Sequence, residues 1–149
     1  MSEILKNSKA LRDYHVLETV EAGIALRGTE VKSLRAGLGN IRDAFALIEK
    51  DQAYLHNAHI EEYNFGNRQN HQPKSVRKLL LHKTEIRRLA SGAQSKGHAL
   101  VPLSFYWKNA KVKVQLALCK GKVEYDKRQD VKDRDSKREL QRAVMHRLK

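Results

Sequence analysis

The run Lys111-Val-Lys-Val-Gln-Leu-Ala-Leu118 limits this chain more than any other stretch. Successive side chains of a strand point to opposite faces. Val112, Val114, Leu116 and Leu118 therefore share one face, and Lys111, Lys113 and Gln115 share the other. An antiparallel sheet with one dry face and one wet, basic face is the arrangement that suits such a strand. Directly after it come Gly121-Lys-Val-Glu-Tyr-Asp-Lys-Arg128 and a charged, helix-prone tail. A β domain over 1–120 and a basic arm over 121–149 are predicted from that boundary.

The rest of the domain reads as short strands and two helices. Asp13 to Leu26 is dense in apolar and β-branched residues, giving one long strand or two linked at Ala22-Gly23. Gly28-Thr29-Glu30 opens a short helix with Thr29 as its cap and Glu30 at the positive end of the dipole. Val31 and Leu34 share one face of it, Lys32 and Arg35 another, and Gly37 ends it. Ile41–Glu49 and Ala53–Ile60 form a hairpin turning at Lys50-Asp51-Gln52. A polar loop fills 61–75, and Leu79-Leu80-Leu81 is a strand. Ile86, Leu89, Ala90 and Ala93 recur at helical spacing, with Gly97 as the stop. Val101–Trp107 pairs with the alternating run through a turn at Lys108-Asn109, and Phe105 and Trp107 point inward. Residues 1–10 read as a flexible lead. The fold class is mainly β with flanking helices, a closed or nearly closed antiparallel barrel.

Charge narrows the function. Thirty Lys and Arg against 17 Asp and Glu give a net charge of +13, which calls for a polyanionic partner. The excess is uneven. Residues 1–65 hold 8 basic and 10 acidic groups, 66–90 hold 7 and 1, and 121–149 hold 10 and 6. Tyr14, Tyr63, Phe65, Tyr106, Trp107 and Tyr125 are interleaved with cations, as in barrels that bind RNA through phosphate contacts and base stacking. Tyr125 sits in the tail, with no core to enter.

Catalytic patterns are lacking. The chain has no phosphate-binding Gly-rich loop and no nucleophile elbow. His56 and His59 face opposite sides of a strand, which does not suit a metal. The spacing of Asp13, Glu18, Glu21 and Glu30 does not demand a divalent cation. No catalytic residue, metal or cofactor is assigned, and no small-molecule substrate. Cys119 is alone, so no intramolecular disulfide forms. No apolar run has the length of a membrane span, and the first residues lack a signal peptide's pattern; a cytoplasmic location is expected.

The tail has ordered features beyond charge. Asp130–Arg134 and Asp133–Lys137 are i,i+4 pairs, Ser136 and Glu139 make a capping box, and Leu140, Val144 and Leu148 form a thin apolar stripe. Such a helix is marginal alone, so it is expected to be disordered when free and helical when held by a partner.

Three stretches together resemble a known family: Ala22-Gly-Ile-Ala-Leu-x-Gly28-Thr-Glu-Val-Lys-Ser-Leu-Arg-Ala-Gly37, then Arg77-Lys-Leu-Leu-Leu-His82, then Gly121-Lys-x-x-x-Asp-Lys-Arg128. In order and spacing they are similar to bacterial small protein B, the SsrA-binding protein, from about Asn7 to the end. The resemblance implies an oligonucleotide-binding-type barrel without enzymatic activity. It implies binding to the tRNA-like part of transfer-messenger RNA and its delivery to stalled ribosomes. Alanyl-tRNA synthetase and elongation factor Tu are then expected partners through the RNA, and no membrane is involved. The RNA-binding set is Glu21, Glu30, Lys32, Arg35, Arg77, Lys78, Leu80, His82, Lys111 and Lys113. The set for the decoding centre and mRNA channel is Gly121, Lys122, Tyr125, Asp126, Lys127, Arg128, Lys132, Arg134, Lys137 and Arg138, with Tyr125 stacking on a decoding-centre base. Glu21 and Glu30 would meet phosphate with the wrong charge. They either accept hydrogen bonds from base amino groups or 2′-hydroxyls, or serve to position the helix. The other reading of the chain is a general single-strand RNA-binding or ribosomal barrel protein whose tail adds only electrostatic affinity.

Overall fold

The computed structural model describes residues 2–63 and 70–122. Among these, the elements in chain order are β1 Ser2–Lys6, α1 Ser8–Asp13, β2 Tyr14–Ile24, α2 Gly28–Arg35, β3 Gly39–Asn40, β4 Phe45–Glu49, β5 Gln52–His56, β6 His59–Ile60, β7 Arg77–Leu80, α3 Lys83–Ala93, β8 His98–Lys108 and β9 Lys111–Gly121.

The alternating run is the first part of β9, which pairs antiparallel with β8 on one edge and with β2 on the other. Its inward residues Val112, Val114, Leu116 and Leu118 are all buried. The β8–β9 turn falls at Asn109-Ala110, one residue later than predicted, with φ of 52° and 63°. Lys50 and Asp51, between β4 and β5, have φ of 49° and 60°. Two-residue hairpins take positive φ at both positions because that twist matches the twist of the strands. β2 is one strand, with a bulge between Val16 and Glu18.

The large sheet runs β1-β8-β4-β5-β7-β2-β9, and β8 also pairs with β9. The circuit from β8 through β4, β5, β7, β2 and β9 thus returns to β8. The β4–β8 seam holds by a single registered pair, Ala46 opposite Leu100. The β2–β7 seam registers at only two pairs, so the result is an OB-like barrel with two thin seams, not a ring bonded evenly all the way round. β3 and β6 form a separate short ladder, so the stretch predicted as one strand over Ala53–Ile60 breaks at Asn57, where φ is 60°.

The interior holds Leu34, Ile41, Leu55, Ile60, Leu79, Leu89, Phe105, Val114 and Leu116, each at most 1 % exposed. A second small core lies between α1 and the sheet. It joins Ala10, Val101, Leu103, Ala117 and Cys119, with Tyr14 and Ala99 packed against them. From Lys111 to Cys119 the outward face of β9 is therefore wet only at Lys111, Lys113 and Gln115.

Residues 2–10 are ordered rather than the flexible lead expected. β1 pairs with β8, placing Leu5 opposite Phe105. Asn7 is fully buried and fully bonded. Its Nδ2 donates to the carbonyls of Ile41 (3.0 Å) and Pro102 (2.9 Å), and its Oδ1 caps α1 by accepting from Ala10 N (3.1 Å). A buried amide satisfied on every side ties three segments together.

The helix caps also differ from expectation. α2 begins at Gly28, with Arg27 as N-cap, and Glu30 accepts from the Arg27 backbone N–H at 2.8 Å. Thr29 turns away, and its hydroxyl meets His71 Nδ1 at 2.8 Å. His71 Nε2 lies 2.9 Å from the Ile60 carbonyl, which can only accept, so Nε2 carries the proton and Nδ1 accepts from Thr29. Gly37, at φ 74°, closes α2 as predicted. α3 buries Ile86 and Leu89 as predicted, and Gly97 adopts φ 82° in the turn that follows.

Candidate nucleic-acid interface

One row of residues crosses four strands on the outer face of the barrel. Leu80 of β7 stands opposite Gly23 of β2, Gly23 opposite Lys113 of β9, and Lys113 opposite Tyr106 of β8. Gly23 has no side chain, and Leu80 leans into that space: a Cβ built on Gly23 would sit 3.1 Å from Leu80 Cβ. Leu80 stays 53 % exposed, unusual for a leucine on a sheet. Glu21, Lys78, Leu80, His82 and Lys113 line one open groove along this row. Residues separated by up to 92 positions in sequence are thereby gathered.

The groove mixes chemistries that RNA uses. Lys78 and Lys113 supply cations, Leu80 an apolar surface, and His82 a ring at the start of α3. Glu21 is the only acid of the strand face beside these cations that the RNA-binding set includes. It accepts from the Tyr106 hydroxyl at 2.6 Å and from Lys108 Nζ at 3.1 and 3.2 Å. The Tyr106 hydrogen bond, then that of Lys108, holds the Glu21 carboxyl below its ordinary range. Burial, then Glu21 itself, pushes the Tyr106 hydroxyl upward. Glu21 is therefore an ionised, oriented acceptor. Lys111 is exposed at the end of the same face, paired across the turn with Lys108.

Two residues of the RNA-binding set lie inside the protein. Glu30 and Arg77 are each 3 % exposed and form a buried ion pair. Arg77 also donates to the carbonyls of Ala58 (2.6 Å), Ser75 (3.1 Å), Gln72 (3.3 Å) and Pro73 (3.0 Å). The physical reason is the alternation of β7: Arg77 and Leu79 point in, Lys78 and Leu80 point out. Neither Glu30 nor Arg77 offers charge to a ligand. Glu30 caps the first turn of α2 through Arg27 N–H and pairs with Arg77, whereas Glu21 stands exposed at the groove.

Lys32 and Arg35 line no part of the groove. They are exposed on α2, Lys32 over the Tyr63 ring at 5.5 Å and Arg35 over the Trp107 ring at 5.8 Å. Trp107 faces the core side with Phe105 but is only partly buried, so its ring is available to Arg35. The tail junction is fixed: Gly121 N–H donates to Gly97 O and Lys122 N–H to Asp13 O, both at 2.9 Å. Tyr125, Asp126, Lys127, Arg128, Lys132, Arg134, Lys137 and Arg138 lie outside the described residues, as does Phe65.

Among the described residues, no three His, Cys, Asp or Glu side chains converge as a metal site. The His56 ring stacks on Phe45, with centroids 5.3 Å apart. No helix among the described residues is long and apolar enough to cross a membrane. Sequence reasoning missed Tyr106 and Lys108 as the holders of Glu21. The available signal was their outward register beside Lys113, which the alternation of β8 contains.

The comparisons with known proteins cover nearly the whole chain. The family model described as SmpB protein matches residues 4–146. The SsrA-binding protein of Desulforamulus reducens is 55 % identical over 147 residues, which are 98 % of this chain and 91 % of that one. The SsrA-binding protein of Pelotomaculum thermopropionicum is 51 % identical over 146 residues, 98 % and 95 % of the two chains. A solved structure described as "tmRNA-SmpB: a journey to the center of the bacterial ribosome" aligns with a TM-score of 0.70 at 48 % identity. That alignment covers 83 % of this chain and 87 % of the other. With identity at this level sustained from end to end, the chain belongs to the SmpB protein family.

Proposed function

We propose that this chain is a non-enzymatic, cytoplasmic RNA-binding factor for trans-translation. It binds the tRNA-like domain of transfer-messenger RNA and brings that RNA to stalled ribosomes. The carrying observation is the row Leu80–Gly23–Lys113 with Glu21 beside it, in a chain that matches SsrA-binding proteins over 98 % of its length. Lys78, His82, Lys111 and Lys113 make the phosphate and polar contacts. Leu80 meets an unstacked base or ribose, and Glu21 accepts from an amino group or a 2′-hydroxyl. Glu30 and Arg77 act indirectly, by fixing α2 against the segment that leads into β7. Lys32 and Arg35 present a second basic surface on α2. The barrel over 1–120 does the binding. The tail over 121–149 acts in the decoding centre and mRNA channel, with Tyr125 stacking at the junction. Alanyl-tRNA synthetase and elongation factor Tu join through the RNA.

The test is to isolate the chain from bacterial cells and sequence the RNA that comes with it. Transfer-messenger RNA is expected to be enriched far above its share of total RNA. Recovery of ribosomal and transfer RNAs in their cellular proportions would instead favour a general single-strand or ribosomal barrel protein and end this reading.

A further inference from the structure

A second groove lies on the same outer face, beside the Lys113 row. It is lined chiefly by Glu3, Thr19, Glu21, Ser104, Tyr106 and Gln115. Its floor is a registered row across three strands: Glu21 of β2 opposite Gln115 of β9, and Gln115 opposite Ser104 of β8. Directly opposed residues place their Cβ atoms about 4.5–5.5 Å apart, so carboxylate, amide and hydroxyl stand in a line within reach of one planar ligand. Ser104 is only 8 % exposed, and it lines this groove. Neither its hydroxyl nor the Gln115 amide meets a hydrogen-bonding group among the described residues. The Ser104 oxygen is not sealed in the core but opens on the groove, where a ligand's polar group can bond to it.

The order of groups selects the ligand. An ionised carboxylate only accepts hydrogen bonds, whereas an amide or hydroxyl does either. Guanine is the base whose Watson–Crick edge offers two adjacent donors, the ring N–H and the exocyclic amine, with a carbonyl acceptor next to them. Adenine, cytosine and uracil each present one donor there. Tyr106 fixes the Glu21 carboxylate by a 2.6 Å hydrogen bond. Lys108 also pairs with it, but as an exposed ammonium it exchanges that contact for a phosphate at little cost. The depressed titration of Glu21 keeps it an acceptor at neutral pH.

We propose that Glu21, Gln115 and Ser104 form a seat for one unstacked guanine of the bound RNA, with Tyr106 as the residue that positions Glu21. The inference rests on the RNA-binding reading above and gives that site a base preference. Glu21 accepts from the two donors, and Gln115 or Ser104 donates to the carbonyl. The guanine then lies next to the Lys113 groove, where the flanking phosphates are held.

The test uses the full chain and three five-nucleotide single strands, in which uridines flank a central guanosine, inosine or adenosine. Inosine lacks only the exocyclic amine. The guanosine strand is expected to bind about tenfold more tightly than either other strand, the scale of one good paired contact to a base edge. Glu21→Gln is expected to bring the three strands within about twofold of each other, because it removes the acceptor that reads both donors, whereas Gln115→Leu is expected to weaken the guanosine and inosine strands alike, because both carry the carbonyl. Tyr106→Phe is expected to reduce the preference partly, and to have no further effect in the Glu21→Gln background. Lys113→Glu is expected to weaken all three strands alike. Equal affinity of the unaltered chain for the three strands overturns the seat, and so does a preference that survives Glu21→Gln. A parallel titration with folded tRNA-like RNA separates the two ideas. If that RNA is preferred over random RNA but guanine is not, the seat fails and the functional reading stands. If folded RNA is not preferred, the functional reading fails, and the pentanucleotides alone decide the seat.

Discussion

Arg77 is locked to Glu30 inside the protein, with both side chains at most 4 % exposed and the remaining guanidinium hydrogens directed at backbone carbonyls. One bond of this pair reaches from β7 to α2. The other Glu30 oxygen holds the first turn of α2 through Arg27 N–H. The pair thus joins the start of a helix to the loop that precedes the groove strand.

Arg77→Met is expected to destabilise the fold by about 3–5 kcal/mol, the usual cost of leaving one buried charge without its partner. Four backbone carbonyls lose a donor as well. Glu30→Gln should cost less, because the amide oxygen still accepts from Arg27 N–H or Arg77. Urea unfolding of both variants checks this ordering. An Arg77→Met protein with an unchanged midpoint would show that the pair is not structural.

Lys113→Glu is expected to weaken RNA binding while the fold survives. Lys113 lies outward between the buried Val112 and Val114. Reversal replaces a phosphate contact with a repulsion and places a second carboxylate near Glu21. The cost in stability should stay below about 1 kcal/mol, slightly above that of a plain surface change. A melt and a binding curve on one preparation measure both. Loss of the fold would mean that Lys113 is held by packing rather than by solvent and RNA.

The elements that were legible in the sequence are those fixed by periodicity. β9, β8, the Lys50-Asp51 hairpin and α3 each carry a two- or 3.6-residue pattern over enough positions to outweigh local ambiguity. β1 carries too few apolar residues to show one, and its stability comes from pairing with β8 some hundred residues away. Asn7 looks like a loop residue because its partners, Ile41 and Pro102, are distant in sequence. The same limit applies to the site. Lys113 is readable as outward from the alternation of its strand, whereas Leu80 lies in an apolar run with no alternation to orient it and enters the set only through the family resemblance. Arg77 was not readable as inward, because a buried arginine breaks the rule that charge faces water, and only the distant Glu30 makes it permissible. Cys119 continues the outward face of β9, yet α1 covers it.

That covering has a measurable consequence. Burial pushes the Cys119 thiol up to about 11, so at pH 8 it is almost wholly protonated as well as shielded. Thiol reagents are expected to label the native chain very slowly and the urea-unfolded chain at the rate of a free cysteine. Native labelling should accelerate only as α1 opens, and Leu103→Ala, which thins the same small core, should increase it. Rapid labelling of the native protein at pH 8 would show that α1 does not stay packed on β8 and β9.

β9 ends at Gly121, and backbone bonds from Gly121 and Lys122 tie it to Gly97 and Asp13. A chain that stops after Lys122 keeps every one of these bonds, so it should melt as the full chain does. It also keeps Glu21, Lys78, Leu80, His82 and Lys113, so it should bind transfer-messenger RNA with nearly unchanged affinity. What it loses is Tyr125, Asp126, Lys127 and Arg128 at the junction and the cations beyond them, within a tail that carries ten basic groups in residues 121–149. Such a segment suits a channel walled by ribosomal RNA phosphates, where charge-assisted contacts would hold a helix too weak to persist alone. The shortened chain is therefore expected to support little or no peptide tagging on stalled ribosomes, and scrambling residues 126–149 at constant composition should do the same. Scrambling separates an ordered helix from a purely electrostatic arm, because the arm needs only its charge. Normal tagging by the shortened chain would remove the tail from the mechanism, and normal tagging by the scrambled one would reduce it to a charged tether.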